Sequence, residues 1–141
     1  MNATTGPDAE PVDTDRSPSM HILVVDDNQD NRVVLARMIE LAGHRPHGAS
    51  NGKEALRVAD ELHPDLILMD LAMPDMDGWT ATQHLKANPD LQHIPVIVVT
   101  GHVTGDEIQR AQEVGCQDVV SKPIDYYVLI DKIQHHTARS A

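Results

Sequence analysis

Short apolar runs, separated by longer mixed segments, constrain the fold of this chain more than any other feature. The runs occupy residues 22–25, 66–69, 94–99 and 119–120. A strand covered on one face alternates apolar and polar residues, whereas a strand covered on both faces is apolar throughout. The runs therefore predict strands of a parallel sheet with helices on either side.

The segments between the runs have helical periodicity. Apolar residues at spacings of three and four lie on one face of a helix. The first segment has two such series: Val34, Met38 and Leu41, and Leu35, Ile39 and Ala42. Further helices are predicted over residues 51–62, after Asp77-Gly78 to about residue 87, from residue 104, and from residue 125.

The second strand of the predicted sheet differs from the others. Residues 44–49 are polar and include Pro46, which has no amide hydrogen and so suits an edge strand. With it, the chain contains five strand–helix units within about 120 residues, which predicts a doubly wound α/β domain.

Two of the predicted helices begin with a capping-box pattern. Asn51 is followed by Glu54, and Thr104 is followed by Glu107. At this spacing the first side chain binds the amide of the acid, and the acid binds back toward the start of the helix.

Each apolar run ends at a reactive polar side chain. Asp26 and Asp27 follow the first run, Asp70 the second, Thr100 the third, and Lys122 the last. The carboxyl ends of parallel strands share one edge of the sheet, where ligands of open α/β folds bind. We therefore expect these five side chains to form one pocket.

Three carboxylates in such a pocket would repel one another strongly. One like-charge pair at about 4 Å costs on the order of 4 kcal/mol at an effective dielectric constant of 20. Because Lys122 offsets only one charge, either one carboxyl keeps its proton or a divalent cation completes the site. Mg²⁺ suits oxygen ligands, and Mn²⁺ would fit the same set.

A pocket that holds a divalent cation and a lysine can accept a phosphoryl group. Phosphoryl transfer needs positive charge on the phosphoryl oxygens and a nucleophile in line. Asp70 suits the acceptor role, because the adjacent Asp26 and Asp27 are suited to gripping the metal. Thr100 can donate a hydrogen bond to a phosphoryl oxygen, and Lys122 can pair with another.

Residues 20–137 resemble the response-regulator receiver domain of two-component signalling. Four motifs carry the resemblance: VVDDN at 24–28, LILMDLAMPDMDGW at 66–79, PVIVVTG at 95–101 and VVSKPID at 119–125. The resemblance implies a flavodoxin-like, five-stranded parallel sheet in the order 2-1-3-4-5 with five helices.

The same resemblance assigns roles to the strand-end residues. It implies that Asp70 is the phosphoacceptor and that Asp26, Asp27 and Asp70 bind Mg²⁺ together with the backbone carbonyl of Ala72. It further implies a switch hydroxyl at Thr100, a phosphoryl partner at Lys122, and a cis bond between Lys122 and Pro123.

One position departs from the family pattern. Receivers usually carry Tyr or Phe three residues before the conserved lysine, but Val119 stands there. The two tyrosines of the chain, Tyr126 and Tyr127, do not occupy that position. His102 is expected at the rim of the site.

Composition limits the remaining possibilities. The formal charge of −11 disfavours a nucleic-acid-binding surface, and no apolar stretch is long enough to cross a membrane. Cys116 is the single cysteine, which fits a reducing cytoplasm. Residues 1–19 are acidic, and Val12 is their only large aliphatic residue, so we expect a disordered tail there, with a short tail at 138–141.

These observations favour a signalling phosphoacceptor rather than an enzyme. A histidine kinase or histidine phosphotransfer protein would supply the phosphoryl group, and we expect a free-standing regulator whose output passes through contact with a downstream protein. Two alternatives stay open: an unphosphorylated scaffold, which Val119 favours, and an Asp-nucleophile phosphohydrolase, which Ala72 disfavours because a second acid belongs there.

The other residues with chemical potential have plainer interpretations. Trp79 is expected to pack rather than to react. His44 with His47, and His135 with His136, lack partners for a metal site in the sequence pattern, so we expect them to be solvated.

Overall fold

The computed structural model describes residues 19–71, 73, 76–101 and 103–137. All of the predicted acidic tail except Ser19, and all of the predicted C-terminal tail, lie outside these residues. The strands are β1 (His21–Val25), β2 (Arg45–Ala49), β3 (Leu66–Asp70), β4 (Val96–Thr100) and β5 (Asp118–Ser121). The helices are α1 (Gln29–Leu41), α2 (Gly52–Leu62), α3 (Gly78–Ala87), α4 (Gly105–Val114) and α5 (Tyr126–Thr137).

The five strands form one parallel sheet in the order β2-β1-β3-β4-β5, which confirms the predicted fold class. The chain winds from β1 outward to β2 and then crosses to β3 on the other side of β1. The winding direction therefore reverses between β1 and β3, and a ligand crevice is expected outside their carboxyl ends. Among the described residues, no helix is both long and apolar enough to cross a membrane.

Apolar side chains of the sheet pack into two cores, one on each face. Leu23 and Val25 face the layer formed by α2, α3 and α4, whereas Ile22 and Val24 face α1 and α5. Alternate residues of a strand point to opposite faces, so an unbroken apolar run supplies both layers. Burying one large aliphatic side chain contributes about 1.5–3 kcal/mol, and together the two cores hold the strand ends in fixed register.

Helix α1 buries only one of the two predicted apolar series. Leu35 and Ile39 are buried, but Val34 is 52% exposed and Leu41 is 67% exposed. The sheet covers a single stripe of the helix. Of the second series, Met38 is half-buried against this core, whereas Val34 and Leu41 lie outside the stripe.

Strand β4 begins at Val96, two residues later than the apolar run suggested. Ile94 is buried in the preceding loop. Pro95 accepts a hydrogen bond from the amide of Ile67 at 2.9 Å, but it has no amide hydrogen with which to continue the ladder.

His44 is buried, and the expectation that it is solvated is wrong. Its Nδ1 accepts a hydrogen bond from the amide of Met20 at 3.1 Å, so the ring covers the start of β1. Burial lowers the pKa of His44, with a smaller opposing effect from Asp65. His47 on the edge strand is half-buried, and its Nε2 lies 2.9 Å from Nδ1 of His21.

The two capping-box patterns form differently. In α2, Asn51 Oδ1 accepts from the Glu54 amide at 2.8 Å, and the Glu54 carboxylate returns to the amide of Ser50 at 2.6 Å. In α4, Thr104 Oγ1 accepts from the Glu107 amide at 3.2 Å, but the Glu107 carboxylate contacts Thr100, a residue of the site.

Candidate functional site

Three aspartates meet at the carboxyl edge of the sheet, as the sequence predicted. Asp26 and Asp27 directly follow β1, Asp70 ends β3, and their carboxylate oxygens lie within 4.8 Å of one another. The amide of Asp26 donates to Ala49 at the end of β2, which fixes the backbone at this point. Asp26 and Asp70 are buried, whereas Asp27 is exposed and leaves the pocket open to solvent.

Lys122 brings a positive charge to the two buried acids. Its Nζ lies 3.4 Å from Asp70 Oδ1 and 3.6 Å from Asp26 Oδ2. Its amide donates to the carbonyl of Thr100 at 2.9 Å, which ties the end of β5 to the end of β4. The bond between Lys122 and Pro123 is cis, as predicted.

Thr100 lies at the end of β4, next to the end of β3 in the sheet register. The residue is buried, and its hydroxyl donates to Glu107 Oε1 at 3.3 Å. The spacing of Thr104 and Glu107 predicts a role for Glu107 in capping α4 and does not predict its place at the site. Its position in the first turn of the helix that follows β4 was the available signal.

The donor set suits a hard divalent cation. Asp26 Oδ1 accepts from the amide of Asn28 at 2.9 Å, but Asp26 Oδ2 is buried and has no hydrogen-bond partner within the described part of the chain. A buried carboxylate oxygen without a donor is costly, and carboxylate oxygens are the ligands that Mg²⁺ prefers.

The charge balance points the same way. The carboxylate oxygens of the buried pair Asp26 and Asp70 lie within 4.8 Å of each other. Two negative charges at that upper limit repel by about 3.5 kcal/mol at an effective dielectric constant of 20. Lys122 offsets one of the three negative charges, which leaves a net charge near −2 at the edge of the sheet. A divalent cation would neutralise this remainder and so fits the three aspartates.

Gly78 allows the start of α3 to lie close to the backbone of Asp70 and Leu71. Its amide donates to the carbonyl of Leu71 at 3.3 Å, and a Cβ built at Gly78 would lie 3.0 Å from both Asp70 C and Leu71 Cα. Asp77 caps α3 by accepting from the Thr80 amide at 2.8 Å. Asp70 is thus held directly against the start of α3.

Of the other residues predicted near the site, two lie outside the described residues and two pack against the core. Ala72, whose carbonyl was expected to bind the metal, and His102, expected at the rim, lie outside the described residues. Val119 is half-buried and packs against the core under α2, α3 and α4. Trp79 packs as expected: it is 8% exposed, and the Arg110 guanidinium lies 4.7 Å from its ring centroid.

Comparisons with known proteins agree with this geometry. The family profile described as the response regulator receiver domain matches residues 22–134. The polar-differentiation response regulator DivK of Brucella ovis is 37% identical over 115 residues, which cover 82% of this chain and 94% of that protein.

Two solved structures of receiver domains from histidine kinases are also similar. The domain from Syntrophus aciditrophicus has a TM-score of 0.79 and 32% identity, and the match covers 87% of this chain and 95% of that one. The domain from Pseudomonas aeruginosa has a TM-score of 0.79 and 29% identity over 86% of this chain and 100% of its own, and a magnesium ion is coordinated in its active-site cleft. Since profile, relatives, fold and acidic strand ends all agree, this chain belongs to the response regulator receiver domain family.

Proposed function

We propose that Asp70 accepts a phosphoryl group from a histidine kinase or a histidine phosphotransfer protein, with Mg²⁺ bound, and that this switches contacts with a downstream protein. Receiver domains are phosphoacceptors of two-component signalling, and the family binds Mg²⁺ in an acidic pocket. The observation that carries the proposal is the position of Asp70. Its carboxylate has two acids within 4.8 Å and the Lys122 ammonium 3.4 Å away.

Asp70 is better placed for the acceptor role than the other two aspartates. It ends β3, so it has the acids of β1 on one side, and Thr100 and Lys122 on the other. Asp26 already uses one oxygen to accept from the Asn28 amide. Asp27 is exposed.

The proposed transfer forms one bond and breaks one. A carboxylate oxygen of Asp70 attacks phosphorus, the bond from phosphorus to the donor imidazole nitrogen breaks, and that nitrogen retains the electron pair. Bound Mg²⁺, held by Asp26, Asp27 and Asp70 with the Ala72 carbonyl, would offset charge on the phosphoryl oxygens. Lys122 pairs with one phosphoryl oxygen, and Thr100 donates its hydroxyl hydrogen to another.

The phosphoryl group carries a charge of about −1.5 to −2, in place of the single negative charge of the Asp70 carboxylate, at a residue that is 4% exposed. Hydrogen-bond donors must therefore turn from their present acceptors to the new phosphoryl oxygens. Among the site residues, the Lys122 ammonium and the Thr100 hydroxyl can do this, because both lie on loops or strand ends that face Asp70. The consequence is a conformational switch rather than turnover of a substrate.

The experiment is incubation with acetyl phosphate and Mg²⁺, followed by intact mass measurement. We expect one labile phosphoryl adduct in the wild type and none in Asp70→Asn. Asp60→Asn, an exposed position on α2, serves as the matched control and retains the adduct.

Two other results would favour one of the alternative functions. If the wild type forms no adduct and does not respond to beryllofluoride with Mg²⁺, the scaffold alternative replaces the switch. Sustained hydrolysis of an unrelated phosphate ester would favour the phosphohydrolase. Ala72 speaks against the latter, because it lacks the carboxyl group that would serve as general acid two residues after the nucleophile.

A further inference from the structure

The carboxylate of Glu107 is used differently from that of the equivalent acid in α2. Both helices begin with an N-cap residue followed three positions later by glutamate. The Glu54 carboxylate returns to Ser50, where it accepts from the amide at 2.6 Å and from the hydroxyl at 3.0 Å. The Glu107 carboxylate instead accepts from the Thr100 hydroxyl at 3.3 Å. An acid that could complete the cap is directed to the site.

A second contact ties the same helix to the site. Arg110 lies one turn after Glu107 on α4, and its guanidinium lies 4.7 Å from the ring centroid of Trp79. Trp79 is the second residue of α3, just after the loop that follows Asp70. Helix α4 is therefore connected to β4 through Glu107 and to α3 through Arg110.

The Thr100 hydroxyl has one hydrogen to donate. While that hydrogen points to Glu107, it cannot point to a phosphoryl oxygen on Asp70. Val119 on the neighbouring strand β5 has an aliphatic side chain and cannot take part in a hydrogen bond. The contact of the Thr100 hydroxyl with Glu107 therefore offers a path from β4 to α4, whereas position 119 has no aromatic ring that could provide one.

We propose that Glu107 is a positioning residue for the phosphoryl switch. It holds the Thr100 hydroxyl toward α4 in the unphosphorylated protein, and phosphorylation of Asp70 draws that hydroxyl away and frees the first turn of α4. The negative phosphoryl group also repels the Glu107 carboxylate, which acts in the same direction. This inference rests on the proposed function and adds the residue through which the change reaches the surface.

The test is a beryllofluoride titration in the presence of Mg²⁺, followed by the fluorescence of Trp79. Trp79 is the single tryptophan of the chain, and it contacts α4 through Arg110. We expect Glu107→Ala to bind beryllofluoride about fivefold more tightly than the wild type, since the competing acceptor is gone. We also expect its fluorescence without ligand to be shifted toward that of the saturated wild type.

Asp106→Ala is the matched control. Asp106 is an exposed acid in the same first turn of α4, so its removal costs the helix the same favourable charge at its N-terminus. We expect this variant to bind beryllofluoride with wild-type affinity. Glu107→Gln, which keeps an acceptor oxygen without the charge, should fall between Glu107→Ala and the wild type.

A double-mutant cycle with Thr100→Val separates the hydrogen bond from simple charge repulsion. In the Thr100→Val background, Glu107→Ala should change the affinity by less than twofold. If the fivefold effect persists without the hydroxyl, or if Glu107→Ala matches Asp106→Ala in the wild-type background, the inference is wrong. A wild type that does not bind beryllofluoride at all would instead contradict the proposed function.

Discussion

Gly78→Ala should damage the site through the backbone, without changing any polar group. Gly78 is the first residue of α3, and its Cα faces the backbone of Asp70 and Leu71. A Cβ there would lie 3.0 Å from Asp70 C and from Leu71 Cα, and closer still to the Asp70 carbonyl oxygen. Ordinary contacts begin at 3.4 Å, so both carbons must withdraw by about 0.4 Å and the oxygen by more.

The size of the effect follows from two opposing contributions. Overpacking costs about 1–3 kcal/mol, and the upper end applies because the neighbours are backbone atoms that cannot change rotamer. Replacing Gly by Ala in a helix returns up to about 1 kcal/mol. We therefore expect Gly78→Ala to lower the free energy of unfolding by about 2 kcal/mol. The shift of the Asp70 backbone should slow phosphorylation by acetyl phosphate by about tenfold or more, since a displacement of about 1 Å can cost on the order of 100-fold.

Gly105→Ala provides a matched control, because Gly105 is the first residue of α4 and a Cβ there would meet nothing within 4 Å. Its free energy of unfolding should be unchanged or higher. The assays are urea unfolding followed by circular dichroism and the rate of adduct formation by mass. If Gly78→Ala unfolds within 0.5 kcal/mol of the wild type and is phosphorylated at the same rate, the steric argument fails.

Three further predictions concern separate parts of the structure. Asp26→Asn should weaken Mg²⁺ binding at least tenfold, measured by calorimetry, because it removes a charge from the buried donor set; unchanged affinity would remove Asp26 from the metal site. Lys86→Met should lower the free energy of unfolding by about 2 kcal/mol in urea, since the Lys86 ammonium donates to the carbonyls of Gln92 at 3.1 Å and Ile94 at 2.8 Å; an unaffected variant would show that these bonds contribute nothing net. Burial lowers the pKa of His44 below 6.5, so the unfolded chain takes up a proton at a higher pH than the folded protein does. The contribution of His44 to the free energy of unfolding is therefore complete above pH 6.5. It falls as the pH drops through the folded pKa, by at most about 1.4 kcal/mol per pH unit. Unfolding curves between pH 8 and 5 should show a shallower dependence for His44→Asn, and an identical dependence would refute this role.

The strands and the strand-end pocket were predictable because one physical constraint fixes both. Strands buried on two faces must be apolar throughout, so a run such as residues 66–69 marks a strand and its polar end together. Parallel pairing then requires Asp26, Asp70, Thr100 and Lys122 to share one edge. No long-range information beyond the direction of the strands was needed.

The use of Glu107 and His44 could not be predicted in the same way. The capping pattern of α4 is the same as that of α2, and only the proximity of Thr100 decides where the Glu107 carboxylate goes. The Nδ1 of His44 accepts from the amide of Met20, which lies 24 residues earlier in the chain. Both outcomes depend on tertiary contacts that local spacing does not encode.

The strand-end pocket is complete only when the strands that supply its residues have joined the sheet. Lys122 and Asp70 lie 52 residues apart in sequence, and β4 must be in place between β3 and β5 before they can meet. A chain in which β4 and β5 have not joined the sheet therefore lacks the ammonium partner of Asp70. Because ligands of the pocket bind only the finished sheet, they stabilise the whole domain, by about 2.7 kcal/mol at 100 times the dissociation constant. A kinase that recognises this site would thus discriminate against misfolded copies without any separate means of detecting them.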